Sequence, residues 1–117
     1  MADFKVGQLL RIFVGERDRW QGAPLSEAIV ELLMEANVAG ASVFRGVEGF
    51  GAHHEIHSAK AFRFGGKLPI LIEVVDDEGK IAELIPRLEE MIAEGAMTLE
   101  RVEYCRFSPA NRGERAR

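Results

Sequence analysis

Between Leu68 and Val75 the chain reads Leu-Pro-Ile-Leu-Ile-Glu-Val-Val, and that run limits the fold more than any other. It is rich in β-branched residues and far too short to span a bilayer, so it predicts a strand. Successive side chains of a strand point to opposite faces. Ile70, Ile72 and Val74 then share one face, and Leu71 and Val75 the other. The segment Gln8–Val14 repeats the pattern, with Leu10, Ile12 and Val14 against Leu9 and Phe13. A sheet with one solvated face shows polar residues at alternate positions. These two strands do not, so something must cover both faces. Helices can cover one. A contiguous apolar patch on the other marks an interface, and self-association in closed cyclic symmetry is the economical way to bury it.

Helical spacing supplies the cover. Pro24 opens a helix, and Leu25, Ile29, Leu32, Leu33 and Ala36 form its apolar face, with Asn37 and Gly40 as the stop. Glu27, Glu31 and Glu35 form a wet face. Asp76 or Asp77 caps a second helix whose apolar stripe is Ile81, Leu84, Ile85, Leu88, Met91 and Ile92, ending at Gly95. Pro86 should kink or split that helix. The remaining strands are Ala41–Val47, Ile56–Phe64 and Thr98–Phe107. Leu68–Val75 follows the Gly65-Gly66 turn signal, either as a new strand or as a continued arm of a long ribbon. Gly15 to Ala23 reads as a polar loop. The order strand, helix, strand, strand, helix, strand with right-handed crossovers predicts an α+β, ferredoxin-like βαββαβ sandwich. Its antiparallel sheet carries two helices on one face. Residues 1–107 form this domain, and the aperiodic residues 108–117 are expected to be a disordered polar tail.

A length of 117 residues suits one domain. The net charge is −4, against nucleic-acid binding, which needs a basic footprint. Cys105 is the single cysteine, so an intrachain disulfide framework is excluded; a buried structural thiol in a reducing cytoplasm is the expectation. The start Met1-Ala2-Asp3-Phe4-Lys5 has no apolar run of a secretory signal, and no window supports membrane insertion.

Chemistry-bearing residues concentrate in the middle of the chain. Gly49-Phe50-Gly51 fits either an anion-cradling turn or a β-bulge. Arg45 sits among apolar neighbours just before it, where a charge needs a partner, either Glu73 or a bound anion. Arg19, in the mixed-charge run Glu16-Arg17-Asp18-Arg19, is a candidate to project into a cleft at a subunit boundary. His53, His54 and His57 suggest a metal cluster, but no acidic or sulfur ligand is assured beside them; as an enzymatic base they lack a nucleophile or paired acid at a recognisable spacing. Phe62 and Phe64 read as core.

Gly40-Ala41-Ser42-Val43, then Val47-Glu48-Gly49-Phe50-Gly51, then Leu68-Pro69 opening a strand that ends in Val74-Val75-Asp76-Asp77, resembles the PII signal-transduction proteins. The fuller match is to a related PII-like family, the domain of unknown function 190. It adds Leu10-Arg11-Ile12-Phe13, Gly15-Glu16, Asp18-Arg19, Pro24-Leu25, Ala39 and Arg45-Gly46 across residues 8 to 107. The resemblance implies a cytoplasmic homotrimer with intersubunit clefts, a signalling or regulatory protein rather than an enzyme. The ligand it implies is a small molecule, an adenine nucleotide such as AMP or ADP. The implied site is Ser42, Arg45, Gly49, Phe50, Gly51, Ala52, His53, Leu68, Pro69 and Arg19. Occupancy would order loop 51–58, which would then engage a partner such as a membrane transporter or an enzyme. Two features depart from PII proteins. The only tyrosine, Tyr104, is not in the T-loop, so the nucleotidylation switch is absent. Glu94-Gly95-Ala96-Met97-Thr98 has no lysine to hold a triphosphate in the PII manner, which leaves a nucleotide with fewer phosphates or another anion. The alternative is a small ferredoxin-like enzyme or metal-binding trimer using the His53/His54/His57 loop.

Overall fold

Alternation of β-branched and aliphatic residues sets the first strand, β1, which runs from Lys5 to Gly15. The computed structural model describes residues 2–50, the backbone of 57–58, and residues 68–109. After β1 come β2 (Arg19–Trp20), β3 (Ala23–Pro24), α1 (Leu25–Glu35), β4 (Ala41–Arg45) and β5 (Glu48–Gly49). Then follow β6 (His57–Ser58), β7 (Pro69–Asp76), α2 (Glu78–Met91) and β8 (Ala96–Tyr104). The principal sheet is four-stranded and ordered β4-β7-β1-β8, with every neighbouring pair antiparallel. This is the ferredoxin-like arrangement, and both helices pack on one face.

The register turns the strand alternation into layers. On the inner face, Val43, Ile72, Ile12 and Met97 form one transverse row, and Ala41, Val74, Leu10 and Leu99 the next. Ile12, Ile72 and Leu10 are completely buried, as are Ile29 of α1 and Ile81 and Leu88 of α2. The core therefore lies between the helices and the two central strands. On the outer face Phe44, Leu71, Phe13 and Ala96 line up as an apolar row. Beside it runs a polar row, Ser42, Glu73, Arg11 and Thr98. Arg11 donates from Nε to Glu73 at 2.8 Å and from Nη1 to Glu100 at 2.6 Å. Those bonds, to Glu73 first, raise the Arg11 guanidinium further above its ordinary value.

Several local expectations change. Pro24 is not the first helical residue: at φ −58° and ψ 130° it is extended, and α1 begins at Leu25. The Gly15–Ala23 stretch contains a tight hairpin, β2 with β3, turned by Gln21 (φ 47°) and Gly22 (φ 85°). Positive φ at both central residues is the primed-turn geometry, usually signalled by Asn-Gly rather than Gln-Gly. The α1 stop holds, with Asn37 at φ 61°. Pro86 does not split α2, which is one helix through it. Pro86 and Ala82 are both exposed, so the Ala82 carbonyl that loses its donor can turn to water, while buried Leu84 and Leu88 pin the helix on the core. β4 stops at Arg45 rather than Val47, and Cys105 is half-buried rather than buried. Of the expected strand Ile56–Phe64 only His57–Ser58 is described; Phe62, Phe64 and the tail residues 110–117 lie outside the described residues.

Asp77 holds the N-cap position of α2, yet its carboxylate does not cap the helix. Its Oδ1 instead accepts from the Tyr104 hydroxyl at 2.8 Å. Asp76, buried, accepts from the Asp77 and Ala39 backbone N–H groups and ties the end of β7 to the α1–β4 loop. The Tyr104 ring lies on β1 at Gly7, where a Cβ would sit 2.5 Å from the ring and 2.6 Å from the Asp76 carbonyl oxygen. Lys5 and Arg106 stack on that ring. The Tyr104 bond first, then Lys5, hold the Asp77 carboxyl below its ordinary 3.8. A depressed folded-state pKa contributes stability that is present above the unfolded value and is lost as pH falls through the folded one. Acid unfolding below about pH 4 should therefore be shallower in Tyr104→Phe than in the parent. Thermal melts through that range measure it, and superimposable acid limbs would rule out the contact as an acid-sensitive tie.

Candidate functional site

Three chain segments meet where the sheet ends at the start of β7. Gly15-Glu16 leaves β1, Arg45-Gly46 leaves β4, and Leu68-Pro69 enters between them. Glu16 N–H donates to the Leu68 carbonyl at 2.8 Å, and Gly46 N–H to the Pro69 carbonyl at 2.7 Å. The carboxylate of Asp18 accepts from Gly15 N–H at 2.8 Å and its backbone carbonyl accepts from Leu25 N–H at 2.8 Å, so the hairpin and α1 are fastened to the same end.

The glycines here answer to Pro69. A Cβ on Gly46 would sit 2.5 Å from Pro69 Cγ, and one on Gly49 3.2 Å from it. Neither glycine has positive φ. Close approach of the proline ring, not left-handed geometry, excludes a side chain at Gly46 and crowds one at Gly49. Gly49 pairs with His57 and Glu48 with Ser58, so the glycine turn begins a two-stranded ribbon that leaves the main sheet. Phe50 follows and is 66% exposed.

Arg45 is the cation that β4 brings to this end. Its expected protein partner, Glu73, is instead bonded to Arg11 on the outer face. Ser42, not Arg45, lies opposite Glu73, and Arg45 lies opposite Ile70 on the inner parity. Arg45 Nη2 meets Glu16 Oε1 at 2.6 Å. The pair bridges across β7, from the strand on one side to the strand on the other. Sequence reasoning placed Glu16 in a solvated loop; only the strand order brings residues 16 and 45 together.

The other candidates fall into four groups. Leu68 is buried and Pro69 half-buried, both at the junction. Ser42 is exposed on the outer face of β4, on the opposite side of the strand from Arg45. Arg19 is exposed in the β2–β3 hairpin and donates from Nη2 to the Gly22 carbonyl at 2.8 Å, so it braces its own turn. Gly51, Ala52, His53 and His54 lie outside the described residues, as do the side chain of His57 and loop positions 51–56. Among the described residues no three His, Cys, Asp or Glu side chains gather as metal ligands, and no helix is long and apolar enough to cross a membrane.

Known proteins share this architecture. The structure superposes on CPII, a nitrogen regulatory PII-like protein from Thiomonas intermedia K12 bound to ADP, AMP and bicarbonate, with a TM-score of 0.67 at 17% identity. That match covers 91% of this chain and 94% of CPII. A Thermus thermophilus protein assigned as PII-like matches with a TM-score of 0.64 at 19% identity over 97% of each chain. The fold is therefore PII-like. In sequence, a UPF0166 protein of Aquifex aeolicus is 35% identical over 96 residues, 82% of this chain and 90% of that protein. A UPF0166 protein of Methanocaldococcus jannaschii is 29% identical over 92 residues, 79% of this chain and 84% of that one. The model of the DUF190 family, described as an uncharacterized ACR, matches residues 7–104, and the chain belongs to that family.

Proposed function

We propose that this chain is a PII-like regulator that assembles as a homotrimer through the outer face of its sheet. It binds an adenine nucleotide, AMP or ADP, in clefts between subunits. The observation that carries the reading is the uncovered outer face: Phe44 is 49% and Phe13 40% exposed in one continuous apolar row with Leu71. No element of the described chain covers that row, and exposed apolar rows of this kind are interfaces. The likeness to CPII, whose structure holds ADP and AMP, supports the nucleotide. The binding end of each subunit is the junction of Arg45, Gly49, Phe50, Leu68 and Pro69, together with Gly51, Ala52 and His53 that follow Phe50 in the sequence. Occupancy acts on the ribbon only in so far as the nucleotide binds one of its states better than another. The ribbon then engages the regulated partner, a transporter or an enzyme, in the cytoplasm.

Light scattering during size exclusion, with calorimetric titration of AMP, ADP and ATP, tests this. The expected result is a trimer mass, with AMP or ADP bound more tightly than ATP. A monomer at micromolar concentration, or binding of none of the three, overturns the reading.

A further inference from the structure

Arg45 and Glu16 are an unequal pair. The Arg45 side chain is 65% exposed, whereas that of Glu16 is only 17% exposed. A carboxylate withdrawn from water that far needs a compensating charge. Glu16 has one ion-pair contact, Arg45 Nη2 to its Oε1, and its Oε2 is buried without a hydrogen-bond partner. Its backbone is fixed by the bond to the Leu68 carbonyl. Glu16 is thus the fixed member and Arg45 the presented one. One guanidinium nitrogen is held, and no other acceptor among the described residues is bonded to the rest of the fork.

We propose that Glu16 is a positioning residue: it holds the Arg45 guanidinium at the end of β7 so that its remaining N–H donors face the phosphate of the bound nucleotide. This rests on the nucleotide reading above. A guanidinium has five donors in a planar fork, suited to one carboxylate and one phosphate at the same time. Leaving Glu16 to meet the phosphate would strand a buried carboxylate, so the geometry favours bridging over exchange. A long flexible side chain held in advance loses less freedom when the ligand arrives.

The test is calorimetric titration of AMP and of adenosine, which lacks the phosphate, into the full chain and its Arg45→Gln, Glu16→Gln and Glu16→Asp variants. Thermal melts check folding. Arg45→Gln should weaken AMP by about tenfold or more and leave adenosine within about twofold, the size of a lost charged hydrogen bond. Glu16→Gln and Glu16→Asp should weaken AMP in the same selective way, and the double variant Glu16→Gln/Arg45→Gln should be no weaker than Arg45→Gln alone. Glu16→Asp keeps the charge and retracts it by one methylene, so it carries the test if Glu16→Gln does not fold. Unchanged AMP affinity in the Glu16 variants, or equal losses for AMP and adenosine, overturns the positioning role while the nucleotide reading stands. A parent protein that binds no AMP overturns both.

Discussion

Ile72→Ala should lower the unfolding free energy by about 3 kcal/mol, within the ~2–5 kcal/mol span of buried aliphatic truncations. Ile72 is completely buried at the middle of β7, between Ile12 on β1 and Val43 on β4. Its side chain faces the helices, where the core is bounded by Ile29, Ile81 and Leu88. The backbone at that point is hydrogen-bonded on both sides and cannot close the space left by the lost atoms. A change of this size is a large part of the ~5–15 kcal/mol that stabilises a domain, so the melting temperature should drop by about 10–20 °C. Val43→Ala is the matched control. It sits in the same transverse row but is 49% exposed at the sheet edge. It should cost less than about 1 kcal/mol, because most of the removed surface was already wet. Equal losses in chemical denaturation of the two variants would mean that strand propensity, not burial, governs this row.

Leu71→Glu should abolish the proposed trimer and leave the subunit folded. Leu71 lies on the outer face between Phe13 and Phe44, the centre of the apolar row. In an isolated subunit a glutamate there reaches water and disturbs nothing in the core. In the trimer it would be buried against apolar neighbours without a partner, and an unpaired buried charge costs several kcal/mol in each subunit. The mass by light scattering should fall to about one third, with a near-parental melt of secondary structure. AMP binding should disappear with it, since the proposed clefts lie between subunits. Glu27→Gln, on the exposed face of α1, should change neither. Retention of the full mass would place the interface elsewhere. Loss of the fold would show that the outer face is needed within the subunit.

Much of the architecture is legible in the chain because it depends on periodicity alone. The alternation in Gln8–Val14 and Leu68–Val75 is a property of sequence, and so is the stripe from Leu25 to Leu33; each assigns an element and the face it buries. The two-sided apolar character of both strands likewise marks the outer row. Misreadings arise where a local rule has a competitor. Pro24 obeys its φ preference, but a hairpin pairing keeps it out of the helix. Pro86 removes a hydrogen bond, but on an exposed face, so the packed side of α2 prevails. Asp77 has the residue type of a cap and stands at the capping position, but the Tyr104 hydroxyl, far along the chain, takes its oxygen.

The candidate site divides in the same way. That Gly46 and Gly49 follow Arg45 ahead of Leu68-Pro69 can be read from the chain. That both glycines serve Pro69 cannot, because the contact exists only once β4 and β7 are paired. Arg45 calls for a partner on grounds of charge alone, and the chain offers Glu73. Face parity refuses it: Glu73 lies opposite Ser42 and is bonded to Arg11, while Glu16 reaches Arg45 from the end of β1. Periodicity along one strand states which residues share a face of that strand. Pairing between strands is set by burial of the whole core at once. The order of residues therefore dictates the elements, their buried faces and the charge in need of a partner, while the packing of β1 and β4 on either side of β7 selects which carboxylate stands within its reach.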